Sequence, residues 1–210
     1  FKYEIPYMLL ITAVLLVMGM TGNEITFIEG VILWILFIAY LLYLYFLAKK
    51  GNDSGDEQSV KLYPVWKCLL FIVLGGVCVV IGSQLVVNGA TTIARACGMS
   101  ERFIGLTIVA FGTSLPELVT SVSAARKGNA GIAIGNIVGS NIFNILFVIG
   151  TVALICPVPF ESRFVIDTVV AILCGVLLWG GTIRHKELRK PCGVVMLLCY
   201  AAYFVYLAAM

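Results

Sequence analysis

The chain has 210 residues, of which 61% are hydrophobic and 12% charged, with a formal net charge of +3. A soluble domain is about half apolar and about a quarter charged, so this composition, with a mean hydropathy of +1.05, excludes an ordinary water-soluble globule and points to a chain solvated by a lipid bilayer. The basic residues are spread over several loops, which gives no basis for a nucleic-acid-binding surface.

A membrane-crossing helix needs roughly 20 apolar residues. Runs of that kind recur along the whole length and predict about seven transmembrane helices, over 5–20, 26–48, 66–94, 103–126, 130–155, 164–183 and 191–209. The expected fold is all-α and polytopic. The first segment is short for a span. The start "FKYEIPYML" has neither a basic leader nor an initiating Met and reads as an internal start. Between the second and third segments, "KKGNDSGDEQSVKLYP" is polar and charged and reads as an aqueous, flexible linker over 49–65.

Orientation follows from the basic residues. Seven spans place Arg95, Arg102 and Arg163 on one side and the other eleven of the 14 Lys and Arg on the opposite side. By the positive-inside rule the 49–65 linker is cytoplasmic and the C-terminus lies outside. The seven cysteines are scattered through apolar runs without metal-type pairing and read as buried small hydrophobes. His185, the single histidine, falls in a basic loop and reads as solvated.

The fourth segment contains "AFGTSLPELV", residues 110–119. Glu117 lies near its middle, where an ionisable group costs about 3 kcal/mol on insertion scales. Such a group faces a cavity and serves a function; the structural alternative is a protonated Glu hydrogen-bonded inside the bundle. Thr113, Ser114, Thr120 and Ser121 stand three or four residues away and share its helix face. Pro116 has no N–H and clashes with the carbonyl of Gly112 four residues back. The pattern predicts a helix broken or kinked around 110–115, with freed carbonyls that need a partner in lipid. A cation supplies one.

The fifth segment carries "GNIVGSNIFN". Asn136, Ser140 and Asn144 recur at four-residue spacing and form one polar stripe on a helix. Gly135 and Gly139 are a small-xxx-small pair that suits close helix approach. Carboxylate, hydroxyl, amide and carbonyl oxygens suit hard cations such as Ca²⁺, Na⁺ or Mg²⁺. One charge does not neutralise a divalent ion, so a second carboxylate is expected from elsewhere.

"GLTIVAFGTSLPELVTSVSAA" followed by "GNIVGSNIFNILFVIG" strongly resembles the α-repeat of the sodium/calcium exchanger family, in its bacterial-type branch. The likeness extends over roughly 82–150. The resemblance implies a ten-helix fold of two inverted five-helix repeats, with the ion site between them at the bilayer midplane. It implies that Glu117 is the principal carboxylate ligand, that Ser114 and Ser140 offer hydroxyls, Thr113 a carbonyl or hydroxyl and Ala110 a carbonyl, with Asn136 and Asn144 beside them. Asn144 matches a position that is Asn or Asp in the family; the neutral residue puts more of the site's charge on Glu117 and its counterpart. Ca²⁺ and Na⁺ are the implied transported ions.

Only one copy of the motif pair is present. On this resemblance, residues 1–48 are the last two helices of a first repeat and 66–210 a complete second one. The expectation is a fragment of the ten-helix antiporter, holding half an ion site and needing a first α-repeat as partner. A proton-coupled or other divalent-cation exchanger, or a non-transporting membrane subunit, are the alternatives. An intramembrane hydrolase using Ser114 or Ser140 lacks an activating His or Lys within the membrane.

Overall fold

The structure is a computed structural model and describes residues 3–51, 64–99, 101–183 and 188–209. Most of the expected linker, 52–63, and His185 lie outside the described residues. Seven helical segments follow the seven apolar runs. The first three are α1 (Glu4–Gly22), α2 (Phe27–Gly51) and α3 (Val65–Ala96). The fourth is interrupted: α4 (Glu101–Ile104), a π-helical turn (Gly105–Val109), α5 (Ala110–Thr113) and α6 (Leu115–Arg126). The fifth comprises α7 (Ala130–Phe143), a second π-helical stretch (Asn144–Ile149) and α8 (Gly150–Ile155), followed by α9 (Ser162–Thr182) and α10 (Lys190–Ala209). Two short strands, β1 (Glu24–Ile25) and β2 (Val158–Pro159), complete the elements among the described residues.

Among the described residues, five helices are long and apolar enough to cross a membrane, and up to six when the bent pair in the fourth segment counts as one span. Lys190–Tyr206 is apolar but shorter. The protein is therefore all-α and polytopic, with the last of the seven segments the least span-like.

The chain forms two compact units. One contains 1–55 with 130–201, the other 56–129 with 202–210. In the first unit, α1 packs on α9 and α2 on α8 and the second π stretch. Its core includes Ile5, Ile11, Leu33, Phe37, Ile142 and Leu146. Apolar burial does not drive helices together in lipid; close packing and interhelical hydrogen bonds do. Both are present. A Cβ on Gly30 would stand 2.9 Å from that of Ala153, and one on Gly150 would stand 3.2 Å from that of Leu33, so α2 and α8 meet almost backbone to backbone. Trp34 donates its indole N–H to Thr151 Oγ1 at 3.2 Å.

The ends of these helices are set locally. α1 stops at Asn23, whose φ of 55° is left-handed, a conformation Asn tolerates at a helix end. α2 starts with a reciprocal cap: Glu29 Oε2 accepts from the Thr26 N–H at 2.7 Å, and Thr26 Oγ1 accepts from the Glu29 N–H at 3.5 Å. β1 pairs antiparallel with β2, Glu24 opposite Pro159 and Ile25 opposite Val158. The Phe160 N–H extends the pairing by donating to the Asn23 carbonyl at 2.7 Å.

In the second unit, α3 packs on α5, α6 and the first π turn. α3 and α6 both end in glycines of positive φ, Gly98 at 78° and Gly128 at 76°, and the Asn129 N–H closes the last turn of α6 on the Ala124 carbonyl at 2.9 Å. The Arg95 guanidinium grips Glu101 with Nε–Oε1 at 2.6 Å and Nη2–Oε2 at 2.9 Å, fastening the end of α3 to the start of α4. None of the cysteines is buried: five are exposed and Cys174 and Cys192 intermediate. The expectation of buried cysteines is corrected here, because the helices that carry them, α3 above all, turn most of their surface away from protein.

Candidate functional site

The expected break in the fourth segment is present and sits at Ser114. Thr107–Thr113 and Leu115–Arg126 meet at 52°. The Ser114 N–H, which in a continuous α-helix would reach the Ala110 carbonyl, donates to the Phe111 carbonyl at 3.1 Å. Ala110 is thereby relieved of its regular donor. Pro116 occupies the first turn of α6, where a missing N–H costs nothing, and it has none to give the Gly112 carbonyl. The regular i to i−4 ladder is thus interrupted between α5 and α6, with the Ser114 N–H shared by the Phe111 and Gly112 carbonyls. α6 begins there, with Leu118 N–H on the Ser114 carbonyl at 3.0 Å.

Glu117 falls in the first turn of α6. It is half-buried, with Oε2 shielded from solvent. Thr113 and Ser114 flank the break and are exposed, and Ser121, one turn beyond Glu117, is buried. Thr120 takes no part in this group, because its hydroxyl donates back to the Pro116 carbonyl at 2.7 Å. The structure thus brings Ala110, Thr113, Ser114 and Glu117 together around one break. The donors are all oxygen, and no cluster of three His, Cys, Asp or Glu exists among the described residues.

Gly112 has a second role that its sequence context did not disclose. A Cβ placed on it would collide with a γ-methyl of Val87 on α3. The glycine lets α5 lie against α3 at the point where the break must be held. Thr91, one turn further along α3, is a group that sequence reading missed. Its hydroxyl is shielded from solvent and has no hydrogen-bond partner, a state rare enough to mark a polar position worth mutating.

The second set of candidates lies in the other unit. Asn136 and Ser140 are half-buried and Asn144 exposed. They border the packed face of α7, formed by Ala133, Ile134, Val138 and Ile142. The Ser140 hydroxyl donates to the Ile137 carbonyl at 3.2 Å and the Asn141 amide to the same carbonyl at 2.9 Å. Asn136 and Ser140 keep the α-helical spacing assumed from the sequence. Asn144 does not simply continue it, because the π stretch starts there. Both motifs adjoin a π turn, a feature that concentrates at functional positions in other helices and has no reliable sequence signature.

The chain is similar to known proteins in sequence and in fold. Residues 67–209 match the family model described as sodium/calcium exchanger protein. The chain is 34% identical to the putative antiporter CaxA of Alkalimonas amylolytica, over 96% of this chain and 66% of that protein. It is 38% identical to the sodium/calcium exchanger MaX1 of Methanosarcina acetivorans, over 67% of this chain and 41% of that one. The solved sodium/calcium exchanger of Methanococcus jannaschii superimposes with a TM-score of 0.79 at 31% identity, over 98% of this chain and 64% of the exchanger. The chain thus spans less than two thirds of each of these proteins. On the family model and these relatives together, the chain belongs to the sodium/calcium exchanger family of membrane transporters.

Proposed function

We propose that this chain is part of a secondary antiporter that exchanges Na⁺ for Ca²⁺ across the cytoplasmic membrane, and that it supplies half of a cation site at mid-membrane. The observation that carries the reading is Glu117 in the first turn of α6, immediately after a 52° break in an apolar span. A charge placed there follows the oxygens of Ala110, Thr113 and Ser114 in the chain, and the resemblance of the second motif to the family's adds the hydroxyl of Ser140 and the amides of Asn136 and Asn144 as ligands. Ca²⁺ takes six to eight oxygens at about 2.3–2.6 Å, and one carboxylate leaves a divalent ion undercompensated. The remaining ligands come from a first α-repeat, in the same polypeptide or in a second chain. In this reading 1–48 end the first repeat, 49–65 is a cytoplasmic linker, 66–210 form the second repeat, and the C-terminus lies outside. Two relatives bear the name sodium/calcium exchanger, which supports Na⁺ and Ca²⁺ as the transported pair.

The test is ⁴⁵Ca uptake into vesicles that hold the 210-residue chain alone or together with a polypeptide bearing a first α-repeat. Uptake driven by an outward Na⁺ gradient is expected only with both. Uptake by the monomeric chain alone overturns the half-site, and uptake that follows a proton gradient while ignoring Na⁺ overturns the ion pair.

A further inference from the structure

We propose that the interface of α9 and α10 holds a site for a soft monovalent cation of the copper(I) class, built from the thiols of Cys174 and Cys199 and the thioether of Met196. In sequence these sulfurs belong to two separate apolar runs; helix register brings them to one interface. The two helices touch at Gly181, where an added Cβ would stand 2.5 Å from Cys192 Sγ and 3.4 Å from Cys192 Cβ. Cys192 itself donates its S–H to the Leu177 carbonyl at 3.7 Å. From that contact Cys174 lies about two turns back along α9, and Cys199 about two turns onward along α10. Consecutive helices joined by a short connection run antiparallel, so both steps lead to the same level, where the two thiols interact electrostatically. Met196 is one turn before Cys199, on the face of α10 that also carries Cys192, and it packs against the core of its unit.

The donor set selects the ion. Thiolate and thioether sulfur are soft ligands that suit Cu(I), whereas hard cations want oxygen. A structural zinc site takes four donors from Cys, His or carboxylates, and no cluster of even three His, Cys, Asp or Glu exists among the described residues. Two thiols and a thioether leave an ion of low coordination number. On binding, one S–H bond breaks, a sulfur–metal bond forms and the proton leaves to water. A single thiolate then neutralises the monovalent charge, so the site stays uncharged within an apolar helix pair, where a net charge is costly. Cys199 is exposed and Cys174 partly so, which gives the ion an entry. The inference is independent of the oxygen site at Glu117.

Native mass spectrometry of the purified, fully reduced 210-residue chain tests it, with Ag(I) as the redox-inert stand-in for Cu(I) and an excess of a small monothiol to strip ions held by a single sulfur. A single Ag(I) per chain is expected to be retained, and excess Ca²⁺ should not displace it. Cys174→Ser and Cys199→Ser should each abolish retention, Met196→Leu should weaken it, and Cys78→Ser on α3 should leave it intact. No retained ion, or retention that survives both the Cys174 and the Cys199 substitution, overturns the proposal. An ion carried only by dimers overturns it as well, since the sulfurs would then come from two chains. Alkylation of the unsubstituted chain gives a second measurement that the folding of a variant does not touch. Ag(I) should slow N-ethylmaleimide labelling of Cys174 and Cys199 together and leave Cys78 unprotected; equal protection of all three, or of neither Cys174 nor Cys199, overturns the site.

Discussion

The two polar motifs use different devices to place oxygens inside an apolar helix. In the fourth segment the helix is severed, with a 52° bend and Pro116 opening a new helix. In the fifth, α7, the π stretch and α8 run as one apolar span of 26 residues over Ala130–Ile155. The difference tracks the chemistry of the side chains. Asn and Ser carry both donors and acceptors and can satisfy themselves on the helix, as Ser140 does on the Ile137 carbonyl. On the proposed function the Glu117 carboxylate meets a cation, and it works best beside acceptors without donors, which a break in the helix provides.

The largest effect should come from removing the charge at the severed helix. Glu117→Gln, in a transporter completed by a first repeat, is expected to reduce ⁴⁵Ca exchange to background with helicity retained. Glu117→Asp should weaken Ca²⁺ binding, because the shorter side chain draws its oxygen away from distances that must stay near 2.3–2.6 Å. Normal flux in Glu117→Gln would remove the basis of the comparison.

Pro116→Ala sharpens it. The substitution gives position 116 an N–H that can reach the Gly112 carbonyl and lets the helix heal. Cation affinity should fall roughly tenfold, on the order of one charged hydrogen-bond-like contact of about 1.5 kcal/mol, while thermal stability holds or rises. Isothermal titration beside a melting curve separates the two. Gly112→Ala acts on the same break from outside: overpacking against Val87 should cost about 1–3 kcal/mol, and adding Val87→Ala should recover most of the lost melting temperature.

In the continuous helix the effects should be smaller. Ser140→Ala is expected to weaken cation binding by a few-fold, about 0.5–1.5 kcal/mol, and Asn144→Asp to make binding pH-dependent by adding a titratable group. A greater loss at Asn141 than at Ser140 would mean that the wrong face of α7 lines the path. Smallest of all is Glu101→Gln. The Arg95 hydrogen bonds hold the Glu101 carboxyl below its usual range, so its contribution is present above the ordinary carboxylate pKa and is lost as pH falls through the lowered one. Melting curves across acid pH should show a slight decline that the variant lacks, since the pair is largely exposed to solvent.

Seven apolar runs were legible because the bilayer demands them, and every one became a helical segment within a few residues of its expected ends. The break at Ser114 was legible because Pro116 and Gly112 are local signals. The π turns at Gly105 and Asn144 were not, because widening a helix by one residue per turn leaves the apolar pattern almost intact. Glu29 reads from sequence as one more acid at a segment end, and only the reciprocal bonds to Thr26 show it to be a cap. Gly112 against Val87 is a contact between segments, and no single-chain pattern encodes which residue a glycine will face. Which set of candidates falls in which compact unit was equally invisible, since 1–55 joins 130–201 across 56–129, which belongs to the other unit.

The small ladder between β1 and β2 carries a consequence for biosynthesis. Its two strands are separated by about 135 residues of chain, which a ribosome adding roughly 5–20 residues per second takes about 7–27 s to make. For most of that interval α1 and α2 are already synthesised, while the backbone groups of Glu24 and Ile25 wait for Val158 and Pro159. The buried face of α1 waits equally long for α9. The nascent α1–α2 pair is therefore held unfastened for many seconds, and it is the arrival of β2 and then α9 that closes the clasp.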